Sequence, residues 1–548
     1  MSSQQRLILA TVVSMLFFLI YSAVFMPQQQ ETAQDKKSTE LGKNSNNVQN
    51  NTPVSANEQN TGDTSAPKVQ AQSVETNEVA TSSPASTIDE SKILVKIEAE
   101  SFSMKIDNLG RISSMVLTHH EFVDENGKQI ELIGSTLPRP MELRFNDTTL
   151  NKEAFKIDYT TDAEVVSLID GSKTFTLTQK LSSVTITKKI KIYSDGHYDL
   201  NVDLSEEKGY FISPGFEPII SSEMMTISGV LVQDGAEQIS IVEDGDATGM
   251  ESYSSVWLAS AFDRYYTTLF YSDHNDMNVV LSKVGEDKPI LFVTGKPHMQ
   301  LHGYIGPKLY DTLFSISPRL TVAIEYGWFT FIAKPMFSVL HYFHGYTANW
   351  GWAIVLLTLF IRLLLYPLTY KGMVSMQKLK AISPQVKEIQ AKYKGEPQKM
   401  QAKVMELYKK HGANPLGGCL PMLLQIPVFF AIYRVLLNAI ELQGAPWILW
   451  IEDMALMDPY YVLPLLMGAS MYYQQKLTPS NFTDPMQEKV FKFLPVIFTV
   501  FFLTFPAGLV LYWFVNNLFS IAQQVFVNKG FAKHQEKAKA KAKHDDKD

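Results

Sequence analysis

Arg362 is the first residue whose chemistry needs explaining. It stands in Thr358-Leu359-Phe360-Ile361-Arg362-Leu363-Leu364-Leu365-Tyr366-Pro367, within an apolar run long enough to lie in a bilayer. A charge placed there costs on the order of 2.5–3.5 kcal/mol on insertion scales. It sits about seven residues, or roughly 10 Å at helical rise, from the polar end of the run. Three readings account for it. The side chain snorkels to lipid headgroups, or it is held in an ion pair, or it faces water in a groove between helices. No Asp or Glu lies inside any of the apolar runs, so an ion pair has no partner there. Other polar residues do, among them Thr358, Gln425, Tyr433, Arg434, Gln474, Gln475 and Thr499, with Tyr512, Asn516, Asn517, Ser520, Gln523 and Gln524 in the last run. Single residues of this kind are usually interhelical hydrogen bonds. An unpaired arginine with several of them favours the groove, and snorkelling stays open beside it. Such a groove would shorten the apolar distance that a polar, acidic end must cross, with Arg362 attracting the acid.

Other chemistries find little support. His341 and His344 have a spacing that could begin a metal site, but no third ligand is near, and His119-His120 stands without other ligands. The chain has no Gly-x-Ser-x-Gly, His-Glu-x-x-His or P-loop pattern. Nothing points to an enzyme, and no cofactor is implied. A transporter would be expected to show repeated halves with broken helices; no internal repeat and no acidic relay is present. The one cysteine, Cys419, excludes an intrachain disulfide.

The elements that must position Arg362 divide the 548 residues unevenly. Residues 7–26, after Arg6, form an apolar segment of spanning length. Bulky residues follow Ser22-Ala23, a poor signal-peptidase site, so an uncleaved signal-anchor over 1–26 is favoured over a cleaved signal peptide. Residues 27–91 are rich in Gln, Asn, Ser and Thr and read as a disordered tether. From 92 to 325 the pattern has period two, as in Phe102, Met104 and Ile106. Ile190 and Ile192 are followed by Asp195-Gly196 and then by Tyr198, Leu200, Val202 and Leu204, a hairpin signal. This region is expected to be a large antiparallel β-sandwich. Residues 326–345 read as an aromatic amphipathic helix, and residues 346–528 as a helical core. Spans are expected at 350–369, 416–440, 460–476, 491–505 and 509–527, the last two separated by a tight turn at Phe505-Pro506-Ala507-Gly508.

Charge sets the topology. The 371–413 loop carries ten lysines against Glu388, Glu396 and Glu406, whereas the next loop holds Glu441, Glu452, Asp453 and Asp458 and no base. The tail at 529–548 is again lysine-rich. Lys/Arg excess marks the cytoplasmic side. Six spans put both lysine-rich segments and both termini inside and the β domain outside. Residues 326–345 then lie flat on the outer interface, because a seventh span would invert the arrangement. The lysine loop reads as a helical hairpin, with Ser383-Pro384 as a start signal and Gly395-Glu396-Pro397 as a stop and restart.

Several motifs together resemble the YidC insertase family. They are Asn414-Pro415-Leu416-Gly417-Gly418-Cys419 with Pro421 and Gln425-Ile426-Pro427-Val428-Phe429; Asp458-Pro459-Tyr460-Tyr461; Thr483-Asp484-Pro485-Met486-Gln487; Phe505-Pro506-Ala507-Gly508-Leu509-Val510-Leu511-Tyr512-Trp513; and Gly351-Trp352 with Arg362…Tyr366-Pro367-Leu368. The resemblance covers residues 92–527, and the long β domain fits the Gram-negative form. It implies an inner-membrane insertase and chaperone with a five-helix core and a hydrophilic groove open to cytosol and lipid. By the same resemblance Arg362, Thr358, Gln425, Tyr512 and Trp513 line that groove, with Phe429 and Met422 on the face that touches substrate. Trp513 stands where some members have tyrosine, which keeps an aromatic surface there without the hydroxyl. The implied partners are nascent membrane proteins, the Sec translocon with its accessory subunits, the ribosome through cytoplasmic loops and basic tail, and the bilayer. The tail Lys537-Ala538-Lys539-Ala540-Lys541-Ala542-Lys543 fits ribosomal RNA and lipid headgroups equally.

Overall fold

The computed structural model describes residues 92–545, apart from 120, 124–126, 135–137, 169–170, 219–227, 286, 414–419 and 479–484. Side chains are further undescribed at 328, 420–424, 485–488 and 532–545. The anchor expected at 1–26, the tether at 27–91, the 414–419 part of the family motif and Thr483-Asp484 therefore lie outside the described residues.

Alternation of apolar and polar residues builds the strands between Ile93 and Pro307, as anticipated. Strand Thr185–Tyr193 pairs antiparallel with His197–Leu204, Ile190 opposite Leu200 and Ile192 opposite Tyr198. Asp195-Gly196 closes the hairpin, and Gly196 takes φ +90°, which a side chain would strain. The inward residues of both strands are buried and their neighbours face out. These strands belong to a 13-stranded sheet. A four-stranded sheet runs in the order Ile112–Leu117, Phe102–Asp107, Ile93–Ala99, Val165–Leu168, the last pair parallel. The two sheets share one hydrophobic core, which includes Val95, Phe102, Leu177, Ile190 and Leu291. Each such side chain contributes about 1.5–3 kcal/mol on burial. Helix α1 (Thr148–Ala154) lies within this β domain, its first turn capped by Asp147.

A short helix α2 (Tyr310–Ile316) leads out of the β domain toward a helical core. That core consists of α3 (Thr330–Thr347), α4 (Trp350–Leu364), α5 (Tyr366–Lys392), α6 (Pro397–Lys410), α7 (Leu420–Asn438), α8 (Val462–Leu477), α9 (Pro485–Phe501) and α10 (Ala507–Asp545). Ala333, Phe337 and Leu340 give α3 one buried face, while Phe331, Tyr342 and Tyr346 are exposed on it.

Two expectations need correction. The run 350–369 is not one helix. Pro367 has no N–H to continue the ladder and its ring crowds the Leu363 carbonyl, so α4 gives way at Leu365 to α5, with Pro367 in the first turn of α5 and a bend of 65° between the two. Ser383-Pro384 does not start a helix: Pro384 lies inside α5, which runs from Tyr366. The stop at Gly395-Glu396-Pro397 does separate α5 from α6. The count of six spans is neither established nor overturned by helix length. Among the described residues only Ala507–Phe531, within α10, is long and apolar enough by itself, and the bent α4–α5 pair qualifies as a second.

Candidate functional site

Arg362 is delivered by α4, whose first turn is fixed by Asn349, the side-chain oxygen accepting from Trp352 N at 3.1 Å. The bend places Arg362 in the last turn of that helix, where the carbonyl ends favour a cation. The side chain is 7% exposed and turned inward onto α10. Nε donates to Asn516 Oδ1 at 2.8 Å, and Nη2 donates to the Asn516 carbonyl at 3.1 Å and to Ser520 Oγ at 2.5 Å. Gln425, from α7, approaches the same Asn516 Oδ1 at 3.5 Å. Among the described residues no carboxylate is within ion-pair distance of Arg362. The guanidinium thus does not snorkel.

Beside it is a narrow cleft lined by Arg362, Thr369, Gln425, Val428, Tyr512 and Asn516. The space open to a water's centre is about 10 Å³, enough for roughly one water. The arrangement offers a fixed positive charge, several polar groups and almost no room.

The remaining sequence-selected residues fall around this cluster unequally. Thr358 is buried one turn earlier on α4, but its hydroxyl donates to Ile354 O at 2.7 Å and it does not line the cleft. Tyr512 is buried and does line it. Phe429 and Trp513 form a separate aromatic group, their rings edge-to-face at 4.5 Å and 89°, with Phe498 and Phe502 also against Trp513. The two groups are adjacent because Gln425 and Phe429 are one turn apart on α7, and Tyr512 and Trp513 are consecutive on α10. The side chain of Met422 lies outside the described residues. His341 approaches Asp311 at 3.4 Å and His344 stacks on Trp350.

Asn516 and Ser520, which hold the arginine, stand in the sequence only among the polar residues of the apolar runs and not among the groove positions. A signal for them exists: Tyr512, Asn516, Ser520, Gln524 and Asn528 recur every four residues, one polar stripe along α10. The stripe continues to α5, where Gln377 donates to Asn528 Oδ1, an oxygen that also accepts from Gln524 at 2.7 Å. Asn517 faces elsewhere and donates to Ser470 Oγ on α8 at 3.1 Å.

Family comparison matches residues 342–536 to the 60Kd inner membrane protein family and residues 253–339 to the YidC periplasmic domain. A curated relative from Campylobacter jejuni, named membrane protein insertase YidC, is 48% identical over 97% of this chain and 97% of its own. One of the same name from Wolinella succinogenes is 49% identical over 98% of this chain and 97% of its own. A third, from Helicobacter pylori, is 43% identical over 96% of each.

Proposed function

This chain belongs to the YidC family of membrane protein insertases, and from that premise we propose that it inserts and helps fold inner-membrane proteins through the cluster around Arg362. Insertion of this kind is not an enzymatic reaction. One observation carries the reading: a buried guanidinium, turned into the helical core, with hydrogen-bond partners but no carboxylate among the described residues. The donor set satisfies the arginine without neutralising it, so its charge stays available to an acidic group entering from the cytosol.

The topology proposed is six spans, with the lysine-rich α5–α6 hairpin, the tail and both termini in the cytosol, the β domain periplasmic and α3 flat on the outer interface. The exposed aromatics of α3 support the last point. The domain division is that read from the sequence, with residues 92–325 as the β domain and 346–528 as the insertase core. Partners in this reading are nascent membrane proteins, the Sec translocon and the ribosome. Gln425, Tyr512 and Asn516 are proposed to line the polar part of the path, with Thr358 beside it, and Phe429, Met422 and Trp513 the apolar part. A helix about 10 Å across cannot enter a cleft that holds one water. The groove therefore works by opening, or by engaging only the unfolded polar end of its client while the apolar part stays in lipid.

The experiment is photocrosslinking from Gln425 and Phe429 to a stalled nascent membrane protein, together with insertion assays on Arg362→Ala. Crosslinks at both positions are expected, and the variant is expected to lose most activity on clients with acidic translocated ends. Absence of crosslinks at both, or full insertion of every client by Arg362→Ala, overturns the proposal.

A further inference from the structure

Helix α7 presents two stripes. Gln425, Phe429 and Tyr433, four apart, face the site, and the rings of Phe429 and Tyr433 lie 6.3 Å apart. Phe430, Arg434 and Asn438, also four apart and about 100° round the helix, face another segment. That segment is the lead-in to α3, residues 325–329. Phe329 stacks on Phe430 with ring centroids 5.6 Å apart and planes within 10°. Asn438 Nδ2 donates to the Glu325 carbonyl at 3.1 Å. The Arg434 guanidinium lies against Gly327, 3.8 Å from where a β-carbon would stand.

The lead-in is itself a built turn. Gly327 takes φ +66°. Its N–H donates to the Glu325 carboxylate, and its carbonyl accepts from the Thr330 hydroxyl at 2.6 Å. At its other end α3 grips the helix that bears Arg362. His344 stacks on Trp350 at 3.9 Å and 6°, and Phe343 meets Phe360 edge-on at 6.3 Å. One continuous piece of chain thus holds α4 at one end and α7 at the other.

We infer that residues 325–329 with α3 form a brace that sets the position of α7 against α4, with Phe329 and Asn438 as positioning residues for insertion. The stripes make the coupling direct. Phe429 and Phe430 are consecutive on a rigid helix, so a shift of Phe430 on Phe329 moves Phe429 on Trp513. The consequence falls on where a client is touched, and only through that on how fast it inserts. The inference rests on the insertase reading above.

The test uses the full chain in membranes, with a photocrosslinker at position 429 and the same stalled nascent membrane protein. Phe329→Ala is expected to lower crosslinking from 429 by about fivefold, the order by which an aromatic pair of this kind shifts a positional equilibrium. Its level in the membrane should be unchanged. Phe329→Tyr, which keeps the ring, is expected to restore the yield; a merely structural loss would instead lower the amount of folded protein. Should Phe329→Ala fail to accumulate, Asn438→Leu removes only the bond to the Glu325 carbonyl and is expected to lower the yield in the same direction. Wild-type crosslinking in an accumulating Phe329→Ala, or in Asn438→Leu if it does not accumulate, overturns the brace while leaving the insertase reading intact. An unmutated chain that gives no crosslinks at 425 and 429 overturns the insertase reading itself.

Discussion

At the scale of the residue, Arg362 shows what a charge in an apolar helix requires. Three donated bonds to Asn516 and Ser520 hold the guanidinium flat against α10. A lysine ammonium carries the same charge but cannot reach all three acceptors from one point. Arg362→Lys is therefore expected to keep much of the insertion of acidic-ended clients while losing about 1–3 kcal/mol of stability through unmet buried acceptors. Insertion assays and thermal unfolding in detergent separate the two effects, and equal loss of insertion in Arg362→Lys and Arg362→Ala would count against charge as the working property. The arginine was legible in the sequence because a lone charge in such a run is rare. That Asn516 and Ser520, of all the polar residues in the apolar runs, are its partners was not legible, because they lie 154 and 158 residues away and look like ordinary interhelical polar groups. Lys188 makes a second prediction. It is fully buried in the β domain, and Nζ donates to Gly110 O at 3.0 Å and Met141 O at 2.9 Å. Burial pushes its pKa down from 10.5 to about 7. Between those values the unfolded chain binds a proton at this amine and the folded chain does not, so this residue's contribution to stability rises with pH across that window. The stability of the wild type minus that of Lys188→Met should climb from pH 7 to pH 10. A flat difference would mean the amine stays charged inside. Lys308 acts in the same direction and Glu217, pushed up to about 8, in the opposite one, but both remain in the variant and largely cancel in the difference.

At the scale of the element, period and turn chemistry were enough where packing agreed with them. Asp195-Gly196 gave the hairpin, and Phe505-Pro506-Ala507-Gly508 the turn between α9 and α10. They failed at Ser383-Pro384, because a proline marks a helix start only if nothing carries the helix through it. There Ile382 is buried and Gln377, a turn and a half earlier, is bonded to Asn528 on α10, so tertiary contact holds α5 continuous. The close approach of α8 to α9 was equally hidden. A β-carbon on Gly468 would strike the Thr499 hydroxyl, which itself donates to Pro495 O at 2.7 Å. Small residues at such crossings let helix backbones approach in a membrane, where no hydrophobic drive pulls them together. Gly468→Ala is expected to cost about 1–3 kcal/mol by overpacking, and adding Thr499→Ala to recover part of it. Thermal midpoints of the two single variants and the double variant test this, and strict additivity would show that the two residues do not meet.

At the scale of the whole molecule, the β domain and the helical core were read from the sequence as separate pieces, yet all described residues fall in one compact unit. The join is the segment that follows α7. Ile440, 2% exposed, is part of the β domain's own hydrophobic core. Around it, Arg264 Nε donates to Leu437 O at 2.7 Å, the Glu441 carboxylate accepts from Tyr310 N at 2.9 Å, and Tyr266 OH donates to Gln443 Oε1 at 3.2 Å. These contacts span 131 to 177 residues of chain, a separation at which no local pattern can signal them. Seen alone, Ile440 was simply the last apolar residue of a span. The consequence is cooperative unfolding: a core residue supplied by one part to the other forces both to lose it together. Sheet and helix bands in infrared melting should therefore fall in one coincident transition for the wild type. Ile440→Ala, which leaves a cavity worth about 2–5 kcal/mol, should lower the sheet transition and split it from the helical one. Two transitions already present in the wild type, or an Ile440→Ala variant whose bands still melt together at the wild-type temperature, would mean that the contact joins the two parts without coupling them.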